Sequence, residues 1–165
     1  MSLEKITKAL AEIDQSGLKR PYLDPKFSVS EQEVLIAEHR IGFKFPKSYR
    51  AFLRAVGSGD FQAVEFYGLI PNQLDLNEIP NAVWFTEDLQ NSYSLPKELF
   101  AFQDFDGDAV ACLFLSKMDD EECPVVLWDH GEAADIQMKK PYILASSFGE
   151  YFSEKIRELI RDASE

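Results

Sequence analysis

Three aspartates at alternate positions, Asp104, Asp106 and Asp108, surround Gly107 in the stretch FQDFDGDAVACLFL, residues 102–115. Carboxylates at that density ligate a hard cation, share a proton in acid/base chemistry, or stand in water around a tight turn. An EF-hand loop wants glycine at the sixth position after its first aspartate; here Gly107 is fourth, and the twelfth position, which should be a bidentate glutamate, is Leu115. An acid/base pair needs a cleft and a perturbed environment, which spacing alone does not supply. Asp106-Gly107 is the pair that a two-residue type I′ hairpin turn favours, because both of its central residues need positive φ. The stretch therefore reads as a hairpin of Leu99–Phe105 and Asp108–Leu115, with Phe105 opposite Asp108 and Phe100 opposite Leu113. Leu99, Ala101, Cys112 and Phe114 share one face, and Phe100, Phe102, Ala111 and Leu113 the other, so both faces are apolar and the aspartates sit at the rim.

Little other chemistry is on offer. The two histidines are His39, on a predicted helix, and His130, in a loop beside Trp128, Asp129 and Glu132. Two are too few for a His-rich metal centre, and His130 with Asp129 is the one pair to which a small hydrolase can be attached; a loop histidine beside acids is more often incidental. No G-x-S-x-G, G-x-x-x-x-G-K-[ST], H-E-x-x-H or G-x-G-x-x-G occurs. Cys112 and Cys123 are spaced too irregularly for a zinc knuckle and read as small, reduced, buried side chains. No catalytic residue, cofactor or metal is expected. Of the two tryptophans, Trp84 reads as core, and Trp128 as an aromatic at the edge of the acidic segment.

Charge separates partner classes more sharply. The 165 residues carry a formal net charge of −12, which disfavours bare nucleic acid and anionic membranes and favours a basic partner. Asp104 to Asp135 alone holds ten acids against one base, Lys117. The length fits one domain, residues 1–165, and 13 phenylalanines imply a Phe-rich core. The amino terminus has neither a signal h-region nor a membrane span, so a cytosolic location is expected.

The elements that must position these residues follow from periodicity. Leu3 to Gln15 is amphipathic, with Leu3, Ile6, Ala9, Leu10 and Ile13 on one face and Gly17 after it. Ser30 and Glu33 form a capping box for a helix through Arg40, with Val34, Leu35 and Ala37 inward and Gly42 as its stop. Phe45-Pro46 opens a helix burying Tyr49, Phe52, Leu53 and Val56. FQAVEFYGLIP, residues 61–71, supplies one or two short strands. Asn81 to Asn91 reads as a helix with Val83, Trp84 and Leu89 inward. The hairpin follows, then a strand from Pro124 to Trp128. A last edge strand falls at Ile136–Met138 or Tyr142–Leu144, and Ser147 with Glu150 opens a terminal helix toward Asp162. The sheet is mostly antiparallel.

Five segments in this order, SVSEQEVLIAEHRIGFKFPKSYRAFLRAVGSGDF (28–61), EFYGLIP (65–71), FDGDAVACLFL, CPVVLWDHG (123–131) and SSFGEYFSEKI, resemble the SUKH superfamily. The similarity is to its branch with the yeast Smi/Knr cell-wall regulator and many bacterial immunity proteins, and it runs from Ser28 to Ile156. It implies an α+β fold, a curved mostly antiparallel sheet with helices packed around it. It also implies a non-catalytic protein that binds and neutralises a cognate polymorphic toxin, often a nuclease, or else a regulatory module that binds a cellular protein or peptide. Joined to the charge argument, it makes Asp104, Asp106, Asp108, Asp119, Asp120, Glu121, Glu122 and Asp129 the expected partner-binding acids, with Tyr67 and Trp128 as anchors. Tyr67, Gly68, Trp128 and Asp129 match the family pattern; Gly68 is expected to permit a bend and Asp129 to cap a turn.

Overall fold

The computed structural model describes residues 2–22 and 25–165. Helix α1 (Ser2–Ser16) buries Ile6, Ala9 and Ile13 at helical spacing, while Leu3 stays 43% exposed. Helix α2 (Glu31–Ile41) starts at the expected reciprocal box, Ser30 Oγ accepting from Glu33 N and the Glu33 carboxylate accepting from Ser30 N, and stops at Gly42 in the left-handed region. Its inner face differs by one position from the expectation. Val34 and Ala37 are buried, but Leu35 faces solvent and Glu38 takes the inner place, because its carboxylate accepts from Phe45 N and pairs with Arg50.

Helix α3 (Lys47–Ala55) buries Tyr49, Phe52 and Leu53, with Val56 just beyond its end. Strands β1 (Gly59–Phe61) and β2 (Val64–Phe66) form a separate antiparallel hairpin. Helix α4 (Ala82–Tyr93) is capped by Asn81, whose Oδ1 accepts from Val83 N.

Strands β3 (Leu99–Phe105), β4 (Ala109–Phe114), β5 (Val125–Asp129) and β6 (Tyr142–Ala145) form an antiparallel sheet in that order. Helix α5 (Ala134–Lys139) lies between β5 and β6, so of the two candidate edge segments the second is the strand. Helix α6 (Phe148–Ala163) is capped by Ser147 Oγ, which accepts from Glu150 N; the Glu150 carboxylate turns to Ser146 instead of closing the box.

Both faces of the sheet are covered, as the doubly apolar hairpin requires. One face carries Phe100, Phe102, Ala111, Leu113 and Val125 into a core built with α1, α3, β1, β2 and α6. There Tyr49, Phe52, Phe66, Phe148 and Phe152 meet at centroid separations of 4.9 to 6.3 Å, edge-on or tilted except for the stacked pairs Tyr49–Phe52 and Phe148–Phe152. The other face carries Leu99, Ala101, Val110, Cys112, Phe114 and Val126 against Leu89 of α4, with Met138 of α5 at its margin.

The hairpin turn is as expected, with Asp106 at φ 54° and Gly107 at φ 80° and Asp108 N bonded to Phe105 O. The register near the tip is not. Phe105 faces Ala109, not Asp108, whereas Phe100 does face Leu113; a bulge at Phe102 absorbs the extra residue. That bulge leaves the Phe102 carbonyl free to accept from Tyr67 N at 2.7 Å, which docks the end of β2 onto β3. Thr86 of α4 closes the same edge by bonding both backbone groups of Ala101. The opposite edge, β6, is open, with Tyr142 67% and Ile143 55% exposed.

Candidate functional site

Because Tyr67 is tied to the bulge, the β1–β2 hairpin meets the tip end of β3, and α6 crosses beside them. The three elements enclose a groove of about 510 Å³. Glu65 and Tyr67 line it from β2 and the residue after it, Gln103, Asp104, Phe105 and Asp106 from β3 and the turn, and Lys155, Glu158, Leu159 and Asp162 from α6. Five carboxylates thus face one cation. Lys155 is itself engaged, 3.1 Å from Glu158 and 5.6 Å above the Tyr151 ring.

Tyr67 is fixed from both sides. Its N–H donates to Phe102, its carbonyl accepts from the buried Tyr49 hydroxyl at 2.9 Å, and its ring packs edge-on against Phe85 at 4.9 Å. Only 5% of the residue is exposed, and it lines the groove. Burial first, then the charges of Glu65, Asp104 and Asp60, push its pKa up to about 12, so the phenol stays protonated. Glu65 is raised above the ordinary glutamate value by burial and by Asp60. Gln103, 6% exposed, has its carboxamide oxygen held by the Tyr151 hydroxyl.

The acidic segment does not form one face. Asp106 and Asp108 are exposed at the hairpin tip and Asp104 is half-buried just inside it; Asp129, at the end of β5, lies beside them because it pairs with Ala109. Asp119, Asp120, Glu121 and Glu122 follow the far end of β4, whose six residues separate the two groups by roughly 20 Å.

At that far end two of the expected binding acids have structural work. Pro46 gives α3 no side-chain cap. Glu122 supplies one, accepting from Ser48 N at 3.1 Å and Ser48 Oγ at 2.7 Å, and Glu121 accepts from Lys47 N through its carbonyl while its carboxylate pairs with Lys47 Nζ at 3.7 Å. Asp119 and Asp120, just before them in the same tight turn, remain exposed.

The tryptophans exchange the expected places. Trp128 is 3% exposed and belongs to the core beneath α4, so its ring offers a partner no surface; Trp84 is half-buried and lies outside both core clusters. Gly68 also differs from its expected role. Its φ is unremarkable, and glycine is needed because a Cβ there would lie 1.8 Å from the Gly57 carbonyl oxygen.

Asp129 caps its turn, accepting from Gly131 N at 2.8 Å, and is not bonded to the imidazole beside it. The His130 ring lies tilted against Tyr93 at a centroid separation of 4.9 Å, with its Nδ1 buried and unpartnered, so His130 and Asp129 are not assembled as an acid and its orienting base. Cys112 and Cys123 are both free and buried, and burial raises both thiols. Among the described residues no group of three or more His, Cys, Asp or Glu side chains is placed to hold a metal ion, and no helix is long and apolar enough to cross a membrane.

The groove draws on residues that charge counting along the chain passes over: Glu65 stands alone in an apolar strand, and Glu158 and Asp162 belong to a helix of balanced charge. Their one signal is the i, i+4 spacing of Glu158 and Asp162 on the polar side of α6. The two antiparallel sheets, the enclosing helices and this order of elements agree with a match to the SUKH_5 family, described as SMI1-KNR4 cell-wall, over residues 4–157, a span that takes in nearly all of α1 as well. The chain belongs to the SUKH superfamily.

Proposed function

We propose that this is a non-catalytic, cytoplasmic immunity protein that binds one cognate toxin domain, basic and most naturally a nuclease, and neutralises it by occupying its cationic surface. Membership of the family is consistent with an immunity role or with a protein-interaction role of the Smi/Knr type. The observation that favours the first is the groove, where five carboxylates from three elements face a single, already engaged lysine. A nuclease must present cations to phosphate, and a preformed acidic concavity meets such a surface with fast association and with discrimination against acidic proteins.

The second reading, a regulatory module holding a cellular peptide, draws on the open apolar edge at Tyr142 and Ile143. Salt separates the two. Affinity for a basic toxin domain, measured by calorimetry, should fall at least tenfold between about 0.05 and 0.5 M salt if the acidic groove is used. Binding that is indifferent to salt and is lost on substituting Tyr142 and Ile143 would favour the peptide module.

A further inference from the structure

We propose that the open β6 edge pairs with the β6 edge of a second copy of this chain, the two strands antiparallel about a two-fold axis near Ile143, so that two four-stranded sheets join into one.

The two edges of the sheet are finished differently. At β3 the Tyr67 amide bonds the Phe102 carbonyl, and the Thr86 hydroxyl bonds both backbone groups of Ala101. At β6 no element beyond β5 bonds the backbone among the described residues. Large apolar side chains stand in solvent there instead: Tyr142 is 67% exposed, Ile143 55%, and Ile136, on the helix that leads into the strand, 56%. Tyr142 and Ile143 pair with Leu127 and Val126 of β5, so they lie toward opposite faces and an added strand would flank both.

Charge chooses the occupant. Lys139 and Lys140, both exposed and in no ion pair, stand just before β6. Glu150, whose carboxylate accepts from Ser146 N and Oγ, and Glu154, exposed and in no ion pair one helical turn on, stand just after it. Lys5 nears Glu150 without forming an ion pair, so this end keeps an uncompensated acid. In the antiparallel arrangement Lys140 of one copy comes opposite Ser146 of the other, and each basic start meets an acidic end. Two identical edges close on each other only through such a two-fold. Parallel pairing would set lysines against lysines, and a basic toxin domain would meet Lys139 and Lys140 as repulsion.

Pro141 and the bulge opposite Val125 and Val126 are devices that turn away indiscriminate strands. They confine the opening to the four residues of β6, so a strand is accepted only when its end charges also fit, as those of the chain's own strand do. The acidic groove lies at the opposite edge, three strand spacings or roughly 14 Å across the sheet, so pairing through β6 leaves both grooves free.

Sedimentation equilibrium of the full chain, with ¹⁵N NMR on dilution, is the test. The apparent mass should rise from 18.8 kDa toward twice that value. The rise should fall between about 10 μM and 1 mM protein, as for a small interface, with amide shifts centred on residues 140–147. Ile143→Lys, at a position already exposed, should weaken association about tenfold or more. Lys140→Glu and Glu154→Lys should each weaken it about fivefold, and the chain carrying both should recover, because the exchanged charges again oppose each other across the two-fold. A chain that stays at 18.8 kDa throughout would overturn the proposal, as would association unchanged by Ile143→Lys or a doubly substituted chain that fails to recover. A monomer whose β6 amides shift only on adding a capped Thr-Val-Thr-Val-Glu-Glu peptide would give the edge to another protein and overturn it equally.

Discussion

Gly68→Ala is the substitution whose cost follows most directly from the geometry. The new Cβ would sit 1.8 Å from Gly57 O, 3.0 Å from Gly57 C and 3.0 Å from Leu53 Cδ2. A carbon and a carbonyl oxygen rest at roughly 3.3 Å, so the Gly57 carbonyl must retreat by roughly 1.5 Å. That carbonyl accepts from Leu69 N at 3.0 Å, and Gly68 itself donates to Pro80 O and accepts from Ala82 N at 3.0 and 2.8 Å, so the movement breaks or strains buried backbone bonds. Overpacking costs about 1–3 kcal/mol and a stranded buried amide about 1–3 kcal/mol more, giving about 4 kcal/mol in all. For a chain of 165 residues that lowers Tm by roughly 8–16 °C. Gly107→Ala is the control: φ is +80° but nothing lies within 4 Å, so only the backbone term of about 1 kcal/mol applies. Thermal unfolding followed by far-UV circular dichroism reads both. A Gly68→Ala protein melting within about 2 °C of wild type would show that the Gly57 segment yields freely and refute the close-approach argument.

Glu122→Ala removes the borrowed cap of α3 and should cost about 1–2 kcal/mol in urea unfolding while leaving affinity for a basic partner unchanged; a loss of affinity without a loss of stability would reverse that assignment. Trp128→Ala should cost about 3–5 kcal/mol by the same assay, since it empties a site 3% exposed. Glu65 gives a pH signature. Burial and Asp60 raise its pKa in the folded state, so in the window just above the ordinary value of 4.5 the folded chain holds the extra proton. The stability it contributes is complete below the unfolded value and is lost as pH rises through the folded one. Partner affinity moves the opposite way, weakening as acidification protonates Glu65 before ordinary glutamates. Glu65→Gln should abolish that early limb of the pH–affinity curve and raise Tm slightly at pH 7; an unchanged curve would exclude Glu65 from the interface.

Local signals in the sequence suffice where one residue's chemistry decides the outcome: the Ser30 box, the Gly42 stop, the Asp106-Gly107 turn and the two apolar faces of the hairpin all appear as expected. What escaped depends on neighbours far along the chain. Glu38 displaced Leu35 from the inner face of α2 because Arg50 and Phe45 N, both outside the helix, satisfy its carboxylate. The bulge at Phe102 has no glycine or proline to announce it; the Phe102 carbonyl serves Tyr67 N, a donor from another element. The candidate site was visible only in part for the same reason. The family resemblance and the charge pattern single out Tyr67, Asp104 and Asp106, but Glu65, Glu158 and Asp162 join them only once α6 crosses the β2–β3 junction. Whether the contiguous acids share one face is likewise not decided by their sequence; β4 carries them to opposite ends of the sheet.

The central claim is that a basic partner is held at the acidic groove. Hydrogen–deuterium exchange of the chain alone and saturated with a bound toxin domain tests it most directly. Protection is expected at residues 64–67, 103–106 and 155–162, with residues 119–122 and the β6 edge unchanged. Protection centred instead on Tyr142 and Ile143, or on the turn at Asp119 and Asp120, would contradict it.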